Sequence, residues 1–133
     1  MIHAAAQPPR EYRPGTCNIG PAEVGRRRRS AIVATVMTAA LAIATVVAGL
    51  PAFARLGLFP FAAATAVTWL QVTRRFCVAF GAAGVLNFGR LGTTFGVADE
   101  GARAADRRTA RRMVLEGVLY GAVVTIAFWL LPA

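Results

Sequence analysis

Few polar side chains interrupt the long apolar stretches of this sequence, and those few are the first candidates for chemistry. Glu116 is the only carboxylate within such a stretch, and an ionisable group at membrane depth suggests an ion or proton site. Asn87 and Gln71 would complete a polar path with it. Arg112 precedes Glu116 by four residues, so an i, i+4 ion pair between them is the structural alternative.

A glycine-rich turn is the second candidate. It contains Gly89, Arg90, Gly92, Thr93 and Thr94. Successive backbone N–H groups beside an arginine can form a concavity that holds a phosphate, here the phosphate of an anionic lipid. No Gly-Lys-Ser/Thr follows, so the turn is not a P-loop. The alternative interpretation is a tight turn or a close helix contact that requires glycine.

Catalytic and metal-binding constellations are not evident in the sequence. Cys17 and Cys77 form no CxxC pair, and His3 is the only histidine, so neither a metal site nor a cofactor is predicted. No nucleophile has a neighbouring base. We therefore expect a protein that is not an enzyme, and the sequence assigns no role to either cysteine.

Composition predicts an all-α membrane protein. Hydrophobic residues make up 56% of the 133 residues and charged residues 16%, well below the ~25% charged residues of soluble domains. Ala31–Ala54, Leu56–Thr73 and Met113–Leu131 would each form roughly 27–36 Å of helix, enough to cross a bilayer. Ala52-Phe53-Ala54 resembles a signal-peptidase site, but the preceding apolar run is longer than a usual signal region. A retained first span is therefore favoured.

The apolar segment 76–98 admits two interpretations. It contains Asn87, Arg90 and several glycines, and an arginine at the centre of a span costs ~2.5–3.5 kcal/mol. We expect an interfacial or re-entrant helical segment, and hence three transmembrane helices. Four transmembrane helices are the alternative.

The arginines predict the orientation. All 15 basic residues are arginine. With the N-terminus in the cytoplasm, fourteen of them lie inside and Arg55 alone lies outside, as the positive-inside rule favours. The C-terminus then lies outside.

The resulting organisation has five parts. They are a partly disordered cytoplasmic segment 1–30, a first span 31–54, an outer turn with the second span 55–73, a cytoplasmic-side segment 74–112 and a third span 113–133. Gly20-Pro21 predicts a helix start that continues into the first span. Asp99 is the expected N-cap of a basic cytoplasmic helix 99–112, in which Arg103 is positioned to pair with Asp99 and Asp106.

Small residues predict helix-packing faces. Gly117 and Gly121 form a GxxxG motif on the third span, which lets another helix approach closely. Ala40, Ala44 and Ala48 form a similar stripe on the first span. These faces are expected to pack within one chain or to join subunits.

These features predict a small multi-pass protein of a bacterial cytoplasmic (inner) membrane. The bacterial source is inferred from abundant alanine, glycine and arginine without lysine, a bias of GC-rich genes. Anionic lipid headgroups, and not nucleic acid, are the expected counter-charge of the arginines. We expect a non-catalytic accessory or assembly component with a protein partner or as a homo-oligomer. The alternative is a small oligomeric transporter or channel with Glu116 and Arg90 near a polar path.

Overall fold

The computed structural model describes the backbone of residues 2–4 and the full residues 11–132. The chain is mostly helical, with four α-helices, one 3₁₀ helix and three short strands in the described part. The helices are α1 (Pro21–Val47), a 3₁₀ helix (Ala52–Leu58), α2 (Phe59–Arg74), α3 (Val78–Ala83) and α4 (Glu100–Leu130). The strands are β1 (Ile2–Ala4), β2 (Val85–Leu86) and β3 (Thr94–Gly96).

Three helical segments of the described chain are long and apolar enough to cross a membrane: Pro21–Val47, Ala52–Arg74 and Glu100–Leu130. The prediction of three candidate spans is therefore confirmed, with shifted boundaries. The first helix ends at Val47, not at Ala54, because Gly49 takes a left-handed φ of 67° and Pro51 follows it. Proline cannot continue a helix, so the chain turns there into the 3₁₀ helix.

The predicted helix starts are confirmed. Gly20 is the N-cap of α1 with Pro21 in the first turn, and α1 runs without a break through the arginine cluster into the apolar stretch. The Asp99 carboxylate accepts a hydrogen bond from the Ala102 N–H at 2.8 Å, and α4 continues from this cap into the third candidate span. The basic helix and the third span are thus one helix.

α2 lies between α1 and α4 and packs against both of them. On the α1 side, Trp69 donates a hydrogen bond to the Thr35 hydroxyl at 2.8 Å, and the Thr38 and Thr65 hydroxyls lie 2.9 Å apart. On the α4 side, Gly117 contacts Val67. The helices therefore form a layer with α2 at its centre.

The GxxxG face of α4 packs against α2 within the chain, whereas the alanine stripe of α1 is exposed. Gly121 faces the Ala63 backbone of α2, where a Cβ added to the glycine would lie 2.6 Å from the Ala63 nitrogen. Ala40, Ala44 and Ala48 are exposed on α1. They point away from the bundle because α1 uses its threonine-bearing side to contact α2.

Residues 76–98 do not form a fourth membrane-crossing helix. α3 has six residues, about 9 Å of helix at 1.5 Å per residue, far short of the ~30 Å hydrocarbon core. The segment continues into β2 and β3, which join β1 in a sheet of order β1-β3-β2. β1 runs parallel to β3, and β2 antiparallel. The all-α prediction did not include this sheet.

Residues 11–20, part of the segment 1–30 that is expected to be partly disordered, pack against the rest of the described chain. Tyr12, Asn18 and Ile19 are buried. Ile19 packs with Val24, Ala31, Val72 and Cys77 in one of three small apolar clusters at the arginine-rich end of the molecule. His3 and Arg10, which entered the sequence predictions, lie outside the residues whose side chains are described.

Candidate functional site

Glu116 forms an ion pair with Arg74 at the end of α2. The predicted partner Arg112 is exposed and forms no ion pair with the described residues, so the predicted i, i+4 pair is wrong. Glu116 lies beside Met113 and Gly117, which are buried where α4 packs against its neighbours. The close approach of α2 and α4 brings the Arg74 guanidinium to the carboxylate, and an isolated helix could not offer that partner.

The polar residues predicted to line a path with Glu116 are engaged in other contacts. The Gln71 side-chain oxygen accepts a hydrogen bond from the Val78 N–H at 3.0 Å and thereby caps the start of α3. Asn87 is completely buried. Its amide donates to Glu23 at 3.2 Å and to the Arg90 carbonyl at 2.8 Å. Gln71 and Asn87 therefore hold loops in place.

In the turn that contains Arg90, several donors converge on the Arg90 backbone carbonyl. The Arg90 carbonyl receives hydrogen bonds from the Asn87 amide, from the Thr93 N–H at 3.2 Å and from the Thr93 hydroxyl at 2.6 Å. The Gly89 N–H donates to the Asn87 side chain at 2.9 Å, and Gly92 takes the left-handed φ of 85° that the turn requires. Two of the N–H groups that a phosphate nest would use are thus engaged inside the loop.

Sequence reasoning missed a buried polar cluster at the arginine-rich end. Asp106 is fully buried on α4. It accepts hydrogen bonds from the Tyr12 hydroxyl at 2.7 Å and from the Gly15 N–H at 2.6 Å. The Thr109 hydroxyl donates to the Gly15 carbonyl at 2.6 Å. These contacts fasten the N-terminal segment to α4, and they replace the predicted pair between Arg103 and Asp106; Arg103 lies near Glu100.

Asn18 continues the cluster on the other side of the N-terminal segment. Its side chain accepts from the Cys77 N–H at 2.7 Å and donates to the Cys77 carbonyl at 3.2 Å. Its backbone bonds to Arg75 and to Asn87. A single asparagine thus connects the turn after α2 with the strand region, where buried polar groups must find partners.

Glu23 is the second buried carboxylate of the cluster, with 1% exposure. One oxygen accepts from Asn87, and the other lies 3.4 Å from Arg27 on the next turn of α1. Arg27 also donates to the Cys77 sulfur at 3.0 Å. Each buried carboxylate therefore accepts at least one hydrogen bond from the protein, and no group of three or more potential metal ligands exists in the described part of the chain.

A cavity of about 500 Å³ beside this cluster is lined by three arginines, Arg13, Arg74 and Arg75. Arg75 adopts a left-handed φ of 51°, an uncommon conformation for a residue with a Cβ. Glu11 also lines the cavity, and Arg74 is already paired with Glu116. The excess positive charge of the cavity lining is thus partly balanced by two carboxylates of the same chain, Glu11 and Glu116.

One signal in the sequence could have revealed Asp106. The buried residues of α4 follow each other at intervals of three or four: Ala102, Asp106, Ala110, Met113, Gly117, Gly121 and Thr125. An aspartate on such a stripe must be buried with the stripe. Tyr12 and Asn18 had no comparable signal, because their burial depends on contacts with distant residues.

Comparison with known proteins places no relative beside this chain: no family model, no curated protein and no solved structure matches it.

Proposed function

We propose that this protein is a non-catalytic accessory or assembly component of a complex in a bacterial cytoplasmic membrane. One observation carries the proposal. Several polar residues that could have served catalysis or transport are bonded to partners within the fold, whereas the candidate spans keep broad apolar faces. Asn87, Asp106 and Glu23 are the clearest cases, since all three are buried with internal partners.

α1 is the element best suited to contact another protein. Only 6% of the apolar 18-residue stretch of α1 is buried inside the molecule. The corresponding share is 17% for the second candidate span and 22% for the third. Ala40, Ala44 and Ala48 lie along its exposed side. Small side chains allow a second helix to approach closely and gain van der Waals contact that bulky residues would prevent. We assign this side of α1 to a partner helix, from another protein or from a second copy.

The alternative of a small transporter or channel receives less support. It requires Glu116 and Arg90 near a common polar path. Glu116 is paired with Arg74 at the α2–α4 contact, while Arg90 belongs to a loop organised by Asn87. Glu116 is thus engaged at a helix contact, whereas Arg90 contributes its backbone carbonyl to a loop and has an exposed side chain.

The proposal is tested by purifying the full chain in a mild detergent and determining the mass of the intact assembly. We expect a complex with another membrane protein or a defined homo-oligomer. Ala44→Leu should weaken that assembly because a bulkier side chain keeps the partner helix at a distance. Val46→Leu, on a different side of α1 and 49% exposed, is the control and should leave it intact. A monomer without any associated protein would contradict the proposal.

A further inference from the structure

α3 and α4 line an apolar surface groove that also contains two arginines. The groove has a volume of about 520 Å³. Its walls are formed by Val78, Ala82, Ala110, Val114 and Leu115, and Arg107 and Arg111 complete its lining. The site therefore combines an apolar surface groove with two arginines, and neither part belongs to the buried polar cluster described above.

Both arginines are available for an external anion. Arg107 and Arg111 are exposed, and over residues 11–132 neither forms an ion pair with a carboxylate. Arg103, one turn earlier, lies near Glu100 instead. Positions four apart lie on the same side of a helix, so the two guanidinium groups can face one phosphate. Guanidinium groups bind phosphate oxygens in a bidentate manner, which makes this geometry favourable.

The position along α4 matches the boundary of a membrane. The charged stretch of α4 ends at Arg112, and apolar residues then predominate. From Arg107 to Leu115 the helix rises by about 12 Å. A molecule with its phosphate at Arg107 and Arg111 would therefore place hydrocarbon beside Val114 and Leu115, which are 39% and 65% exposed.

We propose that this groove binds one anionic phospholipid, with its phosphate between Arg107 and Arg111 and one acyl chain along Val114 and Leu115. Free phosphate would leave the apolar walls uncovered. A zwitterionic lipid would bring a cationic group close to the two arginines, which opposes binding. A lipid with a net negative charge satisfies both parts of the groove, and this inference is independent of the accessory role proposed above.

The test measures lipid binding to the full chain in detergent by native mass spectrometry. Phosphatidylglycerol and phosphatidylcholine with identical acyl chains are titrated in parallel. We expect phosphatidylglycerol to bind at least about tenfold more tightly, given the attraction that each arginine adds near a lipid surface. R107Q/R111Q should abolish this preference. Equal affinity of the two lipids for the unchanged protein would overturn the proposal.

R108Q/R112Q is the matched control. It removes the same charge from the same two turns of α4, at exposed positions outside the groove lining. It should retain the lipid preference. An equal loss in both double variants would show that diffuse charge, and not the groove, attracts the lipid, and would overturn the proposal.

Two further measurements address the groove itself. Ala82→Phe leaves every arginine in place and fills part of the groove from α3, so it should weaken phosphatidylglycerol binding severalfold. Unchanged binding would overturn the assignment of the acyl chain. Soluble glycerol phosphate, added in excess, should fail to displace the lipid. Displacement would indicate a site for a free phosphate compound, which contradicts the proposed lipid site.

Discussion

Asp106 lies on the buried face of α4. Its carboxylate accepts two hydrogen bonds from the N-terminal segment and holds that segment against α4. Tyr12 and Gly15 reach it across more than ninety residues of sequence. A buried carboxylate without donors would cost several kcal/mol. The bond from Tyr12 therefore both satisfies the carboxylate and orders the segment that carries the tyrosine.

Tyr12→Phe should lower the free energy of unfolding by about 1–3 kcal/mol at neutral pH, because it removes a hydrogen bond to a charged acceptor but keeps the ring. The measurement is denaturant unfolding in detergent micelles. Tyr120→Phe, at an exposed position of α4, is the control and should have little effect. A loss no larger than that of the control would contradict the role assigned to Tyr12.

The hydrogen bond between Tyr12 and Asp106 also predicts that the stability of the fold depends on pH. Burial raises the pKa of Tyr12 above its ordinary value, and the hydrogen bond to Asp106 and its negative charge act in the same direction. Because the tyrosine loses its proton more readily in the unfolded chain, this contribution to stability is complete below about pH 10 and declines above it. The difference in the free energy of unfolding between the unchanged protein and Tyr12→Phe should therefore become smaller above that pH.

Arg55 is the arginine that the sequence separated from the others. The structure buries it to 5% exposure. Its guanidinium donates to the carbonyls of Phe128 and Leu131 at 3.1 and 2.8 Å and lies over the Phe128 ring, 5.2 Å from its centroid. A cation at a helix C-terminus satisfies unpaired carbonyls and interacts favourably with the helix dipole. Arg55 thus joins the turn before α2 to the end of α4.

At the scale of elements, the contact between α2 and α4 depends on two glycines. A Cβ at Gly121 would lie 2.6 and 2.7 Å from the Ala63 backbone nitrogen and Cα. Backbone atoms cannot move aside as a flexible side chain can, so the helices would have to separate. Van der Waals contact at this distance is the main attraction between helices within a bilayer.

Gly121→Leu should therefore destabilise the fold by about 1–3 kcal/mol or more through overpacking. The free energy of unfolding in mixed micelles measures this effect. Ala127→Leu is the control, since Ala127 is exposed on the same helix. It should be nearly neutral. Similar stability of both variants would mean that α2 and α4 do not approach as closely as described.

The apolar composition of the segment between α2 and α4 did not reveal whether this segment crosses a membrane. Phe76, Cys77 and Leu86 are almost completely buried, so their hydrophobicity reflects packing within the molecule. Hydropathy alone does not distinguish residues buried against protein from residues facing lipid. The short strands β2 and β3 contain two and three residues, too few for a recognisable alternating pattern.

At the scale of the whole molecule, the arginines are unevenly distributed between its two ends. Over residues 11–132, the buried polar cluster and most arginines lie at one end, and Arg55 is the one arginine at the far end of the bundle. This distribution supports the proposed orientation with the N-terminus in the cytoplasm and the C-terminus outside.

Reporter fusions to the full chain test this orientation in bacterial cells. Alkaline phosphatase, which folds only outside the cytoplasm, should be active when fused after the C-terminus and inactive when fused before the N-terminus. Green fluorescent protein should give the converse result. The opposite pattern at both ends would contradict the orientation, and activity of phosphatase at both ends would contradict an odd number of crossings.

The sequence by itself determined the properties that depend on neighbours along the chain. The apolar runs identified the three candidate spans, and Gly20-Pro21 and Asp99 identified two helix starts. Each of these follows from hydrophobicity or capping within a few residues. The partners of Glu116, Asp106 and Gly121 were decided only by tertiary structure. They lie on elements distant in sequence, and a pairwise contact depends on which helix faces meet, a property that no single segment contains.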